Sequence, residues 1–378
     1  MMMRNLLVTI ALTASILVFS ASAGAVDSRP IEAVRAKKVL DGSDLKVIDD
    51  FLSQAITEVL NASDFSSISN IRAIIVANSP SAVSGQVQFA DQFSESAKKH
   101  VGDALLQADG LTPPKRSFVI VTNLLMLLDD LADPRLVELP LKYAGDKNSV
   151  ISYLAVHCLT NPEIVKKLNA EKEPDTARQI AASLDDIIAT SPPETLGLIA
   201  SFAGSVKINE GIDLLLKVAD KRIASYAGWS VKFELLDAAI LQQLADKMVS
   251  SPSEQASAGR RFGQLFSYVC QRYIKGNKIL NKTQKEQLVS VLLETEKNCL
   301  TKFIKKPSFA FKKAIEAGDL NALLAEHNNL LGDTTKQGIL PAELNFDYGR
   351  DNNGSQLTHP VELAAAPQAL NTPPAAGS

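Results

Sequence analysis

Apolar residues recur at the spacing of an α-helix along most of the 378-residue chain, and this period limits the fold more than any other feature. Between Pro30 and Leu331, stretch after stretch places apolar side chains at i, i+3, i+4 and i+7. Sustained strict alternation, the pattern of a half-buried strand, is missing from the sequence. The clearest stripes lie within residues 208–223, 258–273 and 288–303. The period predicts an all-α protein whose helices are joined by short turns.

Residues 1–25 have the layout of a secretory signal peptide. Arg4 precedes an apolar run of 14 residues from Leu6 to Phe19, and the small residues of Ala21-Ser22-Ala23 and Ala23-Gly24-Ala25 fit a cleavage site. The alternative is an uncleaved membrane anchor, but the run is shorter than the ~20 residues that span a bilayer. We therefore expect an exported chain, periplasmic or extracellular, that is not an integral membrane protein after cleavage.

Two further regions follow the signal peptide. Residues 26–332 are predicted to form the helical domain, since the helical period runs through them. From residue 333 to residue 378 the period is lost, Asn and Gly become frequent, and the chain finishes as AAAPQALNTPPAAGS. Such a segment buries too little apolar surface to offset its ordering entropy, so residues 333–378 are predicted to be a disordered tail.

The three cysteines are predicted to be small core residues. Cys270 and Cys299 fall in two successive predicted helices, where an antiparallel hairpin leaves Cys299 about 16 Å beyond the position opposite Cys270. A disulfide tolerates a Cα separation of only about 7 Å. This pair is therefore not expected to close.

One segment resembles a known repeat family. Residues 131–141 read LADPRLVELPL, which is similar to the helix-to-helix junction of bacterial HEAT-like repeats, where an L-x-D-P-R-x-V-E-x-L pattern recurs. The predicted helices from Phe118 to Leu131 and from Asn148 to Leu159 stand where the second helices of that family would. The resemblance covers about one and a half degenerate repeats and implies an irregular α-solenoid of stacked antiparallel helix pairs. The alternative is an irregular helical bundle.

The chain shows no recognisable catalytic set. The candidate acid/base pairs, Asp49/Asp50, Asp129/Asp130 and Asp185/Asp186, are adjacent residues, whose side chains diverge by about 100° on a helix. Ser96-x-x-Lys99 lacks the Lys-Thr-Gly that accompanies this motif in penicillin-binding proteins, and Glu95-Ser96 lacks the Gly- and Met-rich stretch that follows in lytic transglycosylases. His157-Cys158 has no further metal ligands in view. We predict a non-enzymatic protein with no cofactor and no metal site; the alternative is an enzyme whose site is assembled from distant residues.

Charge is distributed unevenly, although the net charge of the chain is only −3. Residues 260–315 hold 13 basic and 3 acidic residues, whereas residues 171–259 hold 8 and 13. On the predicted helix near residue 268, helical spacing places Arg261, Gln264, Tyr268, Arg272 and Lys275 along one edge, with further lysines in the adjoining turn. The predicted basic face comprises Arg261, Tyr268, Arg272, Lys275, Lys278, Lys282 and Lys285.

Two functions follow from these features. A helical solenoid without a catalytic set is typical of a scaffold that binds a protein partner along its extended surface. Alternatively, cations gathered on one face with an aromatic residue suit a polyanion. The cations can also pair with the acidic 171–259 segment within the fold, and this reading needs no ligand.

Overall fold

The computed structural model describes residues 26–80, 86–170, 174–304, 308–350 and 354–367. Within these ranges the protein is all-α, as the helical period predicts, and contains two isolated β-bridges but no strand. The predicted signal peptide and the last part of the predicted tail, residues 368–378, lie outside the described residues.

The chain divides into two compact units, one ending at Phe93 and one beginning at Ser94, where the sequence predicts a single helical domain. The helices that begin in the first unit are α1 (Arg29–Arg35), α2 (Gly42–Asn61), α3 (Phe65–Ala77) and α4 (Val87–Asp109), and the boundary falls within α4. A capping box starts α2, since Asp41 accepts the backbone N–H of Asp44 while the Asp44 carboxylate accepts that of Asp41. Its apolar face then packs on α3.

The second unit contains the remaining helices. They are α5 (Pro114–Leu131), α6 (Glu138–Leu141), α7 (Ser149–Leu159), α8 (Pro162–Leu168), α9 (Asp175–Ile187), α10 (Pro193–Ser205), α11 (Asn209–Ala227), α12 (Leu236–Ser250), α13 (Gln255–Lys275), α14 (Lys282–Thr295), α15 (Thr301–Phe303), α16 (Ala310–Ala317), α17 (Leu320–Leu331) and α18 (Ile339–Glu343). Helices α5 and α7, α10 and α11, α12 and α13, and α16 and α17 pack on one another. Such neighbouring pairs are the arrangement of an irregular α-solenoid.

The segment that resembles a HEAT junction forms a tight corner between α5 and α7. Residues Pro134–Leu136 make a 3-10 turn, and α6 follows as a single helical turn. Asp133 caps the 3-10 turn by accepting the backbone N–H of Arg135, and its carboxylate also pairs with the Arg135 guanidinium.

Helix α13 is the centre of the second unit. Every residue from Phe262 to Arg272 is buried, because α11, α12, α14, α17 and α18 all pack against this helix. The buried positions include the polar residues Gln264, Ser267, Gln271 and Arg272. Each of these side chains must find hydrogen-bond partners inside the protein.

The prediction of a disordered tail is wrong for residues 333–350 and 354–367. Residues 339–348, which we call the anchor, bury Leu340, Leu344, Phe346 and Tyr348 in the same core as α13. Helical periodicity misses the anchor, because after α18 the buried residues Leu344, Phe346 and Tyr348 occupy alternate positions. Residues 357–364, which we call the strap, then run along α13 and bury Leu363.

Two glycines on α13 receive the aromatic side chains of the anchor. A Cβ atom at Gly259 would lie 2.7 Å from Phe346 Cδ1, and one at Gly263 would lie 2.8 Å from the Tyr348 hydroxyl. The two rings also meet edge to face, with centroids 5.4 Å apart. Gly259 and Gly263, four positions apart, thus leave a notch on α13. The rings of Phe346 and Tyr348, which are distant in sequence, fill it.

All three cysteines are buried, as predicted. Burial raises the pKa of the Cys299 thiol to about 12 and raises those of Cys158 and Cys270 as well. The three thiols are therefore protonated core groups at neutral pH.

Replacing Phe346 with Ala should lower the free energy of unfolding by about 3 kcal/mol, because it empties a buried aromatic site. The matched control is Phe233→Ala, since the Phe233 side chain is 53% exposed and its loss should change stability by less than about 0.5 kcal/mol. Urea unfolding of both variants measures the difference. Equal effects would contradict the packing of the anchor on α13.

Candidate functional site

A groove along α13 holds the strap by its main chain. The Gln264 side-chain amide donates to the carbonyl of Val361 over 3.0 Å and accepts the Val361 N–H over 2.8 Å. Two residues on, the Leu363 N–H donates to Gln271 Oε1 over 2.8 Å, and Lys275 Nζ donates to the Leu363 carbonyl over 2.5 Å. We call this surface the α13 groove, and its polar lining comprises Trp229, Gln264, Gln271 and Lys275.

Trp229 completes the groove from the loop between α11 and α12. Its indole Nε1–H donates to the carbonyl of Ala364 over 3.2 Å. With the contacts of Gln264, Gln271 and Lys275, both the N–H and the C=O of Val361 and of Leu363 are paired. These two residues are spaced at the two-residue period of an extended chain. Recognition of this kind reads an extended backbone and leaves sequence preference to the side-chain pockets.

A directed chain of hydrogen bonds fixes Gln271. His327 Nδ1 and Asn328 Oδ1 lie 2.8 Å apart, as do His327 Nε2 and the Ser267 hydroxyl. Since a carbonyl oxygen can only accept, Nδ1 carries the proton and Nε2 accepts from Ser267. Ser267 in turn accepts from Gln271 Nε2 over 2.8 Å, which leaves Gln271 Oε1 free to accept the N–H of Leu363. This order of donors and acceptors requires a neutral His327.

The spacing of Ser267, His327 and Asn328 is also that of a nucleophile, a base and an orienting group. The Ser267 side chain is 0% exposed, however, and its hydroxyl is bonded on both sides. A substrate has no access to the hydroxyl in this arrangement. The three residues therefore act here by positioning Gln271.

A buried charge network lies under the loop that carries Trp229. The Arg222 guanidinium meets both oxygens of Asp237, with N–O distances of 2.7 and 2.9 Å, and the Tyr226 hydroxyl donates to Asp237 over 2.6 Å. Arg222 also donates to the carbonyl of Lys232 in that loop over 3.0 Å. Burial raises the pKa of Asp237 despite the neighbouring guanidinium, and burial likewise raises the pKa of Tyr226.

A second buried pair positions Trp229 itself. Arg272 on α13 pairs with Glu234 over 3.2 Å, and its guanidinium carbon lies 5.4 Å from the centre of the Trp229 ring. Trp229 takes a left-handed backbone conformation, with φ of 54°, which is costly for a bulky residue and is maintained by the contacts around it. The two buried pairs thus aim the indole at the strap.

The basic face does not form as the sequence predicts. Tyr268 and Arg272 are buried, because α13 is covered on all sides and a helix edge there is not a surface. Arg261 pairs with both oxygens of Asp220 at 2.9 Å, and Lys275 is engaged by the strap. The exposed positions Lys278 and Lys282 and the partly exposed Lys285 remain at the surface beyond the end of α13.

Three cations of residues 260–315 pair with the acidic segment 171–259, an arrangement that needs no ligand. Arg261 contacts Asp220, Arg272 contacts Glu234 and Lys302 contacts Asp246. Gln264 lies on the predicted basic edge, but its contact with the strap and the roles of Gln271 and Ser267 are not evident from the sequence pattern. Polar residues seven positions apart in a helix with apolar residues on every side are the signal that could have revealed them.

No family model matches this chain, and no curated protein matches its sequence. Over the described ranges, no group of three or more His, Cys, Asp and Glu side chains could hold a metal ion. In the same residues no helix has the length and apolar character needed to cross a membrane.

Replacing Arg222 with Met should destabilise the protein by about 3–5 kcal/mol, because it leaves the Asp237 carboxylate buried without its counter-ion. Arg178→Met is the matched control: Arg178 is half-exposed, pairs with Asp175 and Glu210, and should cost less than about 1 kcal/mol. Thermal and urea unfolding measure both. Similar losses for the two variants would contradict the account of the network.

Acidification should release the strap. Burial lowers the pKa of His327 below its usual value near 6.5, Lys275 lowers it further, and the bond to Asn328 and the charge of Glu362 oppose the shift. The unfolded or released state therefore binds more protons, so the contribution of His327 is complete above pH ~6.5 and is lost as the pH falls below it. A cleft of about 530 Å³, which His359 and Asp333 also line, lies beside His327.

Emission from Trp229, the one tryptophan of the chain, reports this release. Between pH 7.5 and 5.5 its emission should shift to longer wavelength as the indole loses the strap. The shift should disappear in His327→Gln, whose amide oxygen accepts from Ser267 at every pH, and should persist in His359→Gln. An unchanged shift in His327→Gln would contradict the assignment.

Proposed function

We propose that this protein is an exported, non-enzymatic helical scaffold that binds an extended segment of a partner protein in the α13 groove. The observation that carries the proposal is the pairing of the strap's main chain with Gln264, Gln271 and Trp229. A surface that pairs with the N–H and C=O groups of an extended chain recognises any segment of compatible side chains. The strap is then the occupant that a partner replaces.

The difference between the contacts of the anchor and those of the strap supports the replacement of the strap by a partner segment. The anchor buries four large apolar side chains, whereas the strap buries Pro360 and Leu363 and is held in addition by polar contacts to its main chain. Hydrogen bonds of this kind contribute about 1 kcal/mol each. The strap can leave while the anchor stays in its glycine notches.

Covalent connection sets the strength that a partner needs. A tethered segment competes at an effective concentration on the order of 1 mM for a short flexible link. A partner segment of equal intrinsic affinity is therefore excluded at micromolar concentration. Binding requires a partner segment with a higher intrinsic affinity than the strap, or a strap whose own affinity for the groove is weakened.

Two further elements of the proposal rest on the sequence. The layout of residues 1–25 supports export. The corner of Asp133, the 3-10 turn and α6 between α5 and α7 supports an arrangement of degenerate HEAT-like repeats. A polyanion ligand has less support, because Arg261 and Arg272 are paired with carboxylates.

The test uses the full chain with the strap weakened by Leu363→Asp, which places a carboxylate in an apolar site. A fluorescent peptide of residues 357–366, LTHPVELAAA, is titrated into this variant and followed by anisotropy. We expect saturable binding to Leu363→Asp and at least about tenfold weaker binding to the wild-type chain, whose groove is filled.

The matched control adds Gln264→Ala and Gln271→Ala to the weakened chain. These changes remove the glutamine contacts to the main chain of residues 361 and 363, so binding should fall by at least about tenfold. Circular dichroism verifies that each variant stays helical. A helical Leu363→Asp chain that leaves the peptide unbound at about 1 mM contradicts the proposed function.

A further inference from the structure

The strap also indicates which segments the α13 groove prefers. We infer that the partner segment carries a proline, then any residue, then an acidic residue and then a leucine, in the order of Pro360, Val361, Glu362 and Leu363. This inference rests on the proposed function and names the chemistry of the partner. It follows from which of the four side chains the protein encloses.

The leucine position is enclosed. Leu363 is 2% exposed and belongs to the apolar core cluster that α13 centres. Its main chain is at the same time fixed by Gln271 and Lys275. A side chain held at such a fixed point has little freedom to shift, so shape and apolar character are both selected there.

The proline position is enclosed for a different reason. Pro360 is buried and lines the cleft together with Ile274 and Leu324. Proline has no N–H that needs a partner when it is buried, and it restricts the preceding residue to extended conformations. A proline here therefore presents the segment in the conformation that the groove requires, at a lower entropic cost.

The two middle positions differ in charge preference. Val361 is 49% exposed, so the groove reads its main chain and tolerates many side chains. Glu362 lies beside Lys275, with Nζ and Oε2 3.4 Å apart in a largely exposed pair. An exposed ion pair of this kind adds a modest preference for a carboxylate.

The test titrates variants of the 357–366 peptide into the full Leu363→Asp chain, and into Leu363→Gly as a second weakened chain in case the aspartate disturbs folding. Within the peptide, Leu363→Ala should weaken binding at least about tenfold. Pro360→Ala should weaken it about two- to fivefold, through lost preorganisation. Glu362→Lys should weaken it by up to about fivefold, an effect that salt reduces.

Val361→Ser is the matched control and should stay within about twofold, because its side chain lies in solvent. If all four variant peptides bind the weakened chain as tightly as the parent peptide, the inferred sequence preference is overturned, whereas recognition of the main chain is not. Failure of the parent peptide to bind either helical chain would overturn the proposed function itself, so the two failures are distinct.

A second copy of this chain carries the same motif and is an alternative occupant. Light scattering of the wild-type and Leu363→Gly chains decides between the two. We expect both to remain at the same mass at micromolar concentration, because each copy fills its own groove or lacks the leucine. A wild-type dimer that Gln271→Ala dissociates would show that the occupant is a second copy and would overturn the proposal of a separate partner protein.

Discussion

An extended segment that lies on a protein must have partners for the N–H and C=O groups that it turns inward, and the second unit is arranged around this requirement. Helix α13 meets it with Gln264 and Gln271, whose own amides are buried and need partners equally. Each glutamine satisfies the strap while the strap satisfies the glutamine. The pairing explains why Gln264 and Gln271 lie on α13, where every residue from 262 to 272 is buried.

The precision of this pairing comes from groups that do not touch the strap. Ser267 and His327 fix which end of the Gln271 amide accepts, and Asn328 fixes the tautomer of the histidine. Buried ion pairs are costly to desolvate, and the pairs of Arg222 with Asp237 and of Arg272 with Glu234 are retained where they hold the Trp229 loop. These supporting contacts hold the groove side chains rigid, and rigid side chains can pair specifically with the main chain of a bound segment.

The helices could be predicted from the sequence, because a helix that buries one side shows a local apolar period within a single stretch. The same period does not reveal that α13 is covered, and it wrongly predicts an exposed edge at Tyr268 and Arg272. Tyr226, Trp229 and Glu234 cover Tyr268 and Arg272 from α11 and the loop after it. The strap, which begins more than 80 residues after Arg272, contacts Gln264 and Lys275. No local pattern in α13 indicates either contact. Gly259 and Gly263 indicate in the sequence that another group approaches α13 closely, but they do not indicate that Phe346 and Tyr348 are that group.

The central claim is that the strap lies in the α13 groove with the main chains of Val361 and Leu363 paired to glutamine amides. Amide hydrogen exchange, resolved by residue with NMR, tests this most directly. The account predicts slow exchange at both amides in the wild-type chain and, in Gln271→Ala, fast exchange at Leu363 with Val361 still slow. Fast exchange at both amides in the folded wild-type chain would contradict it.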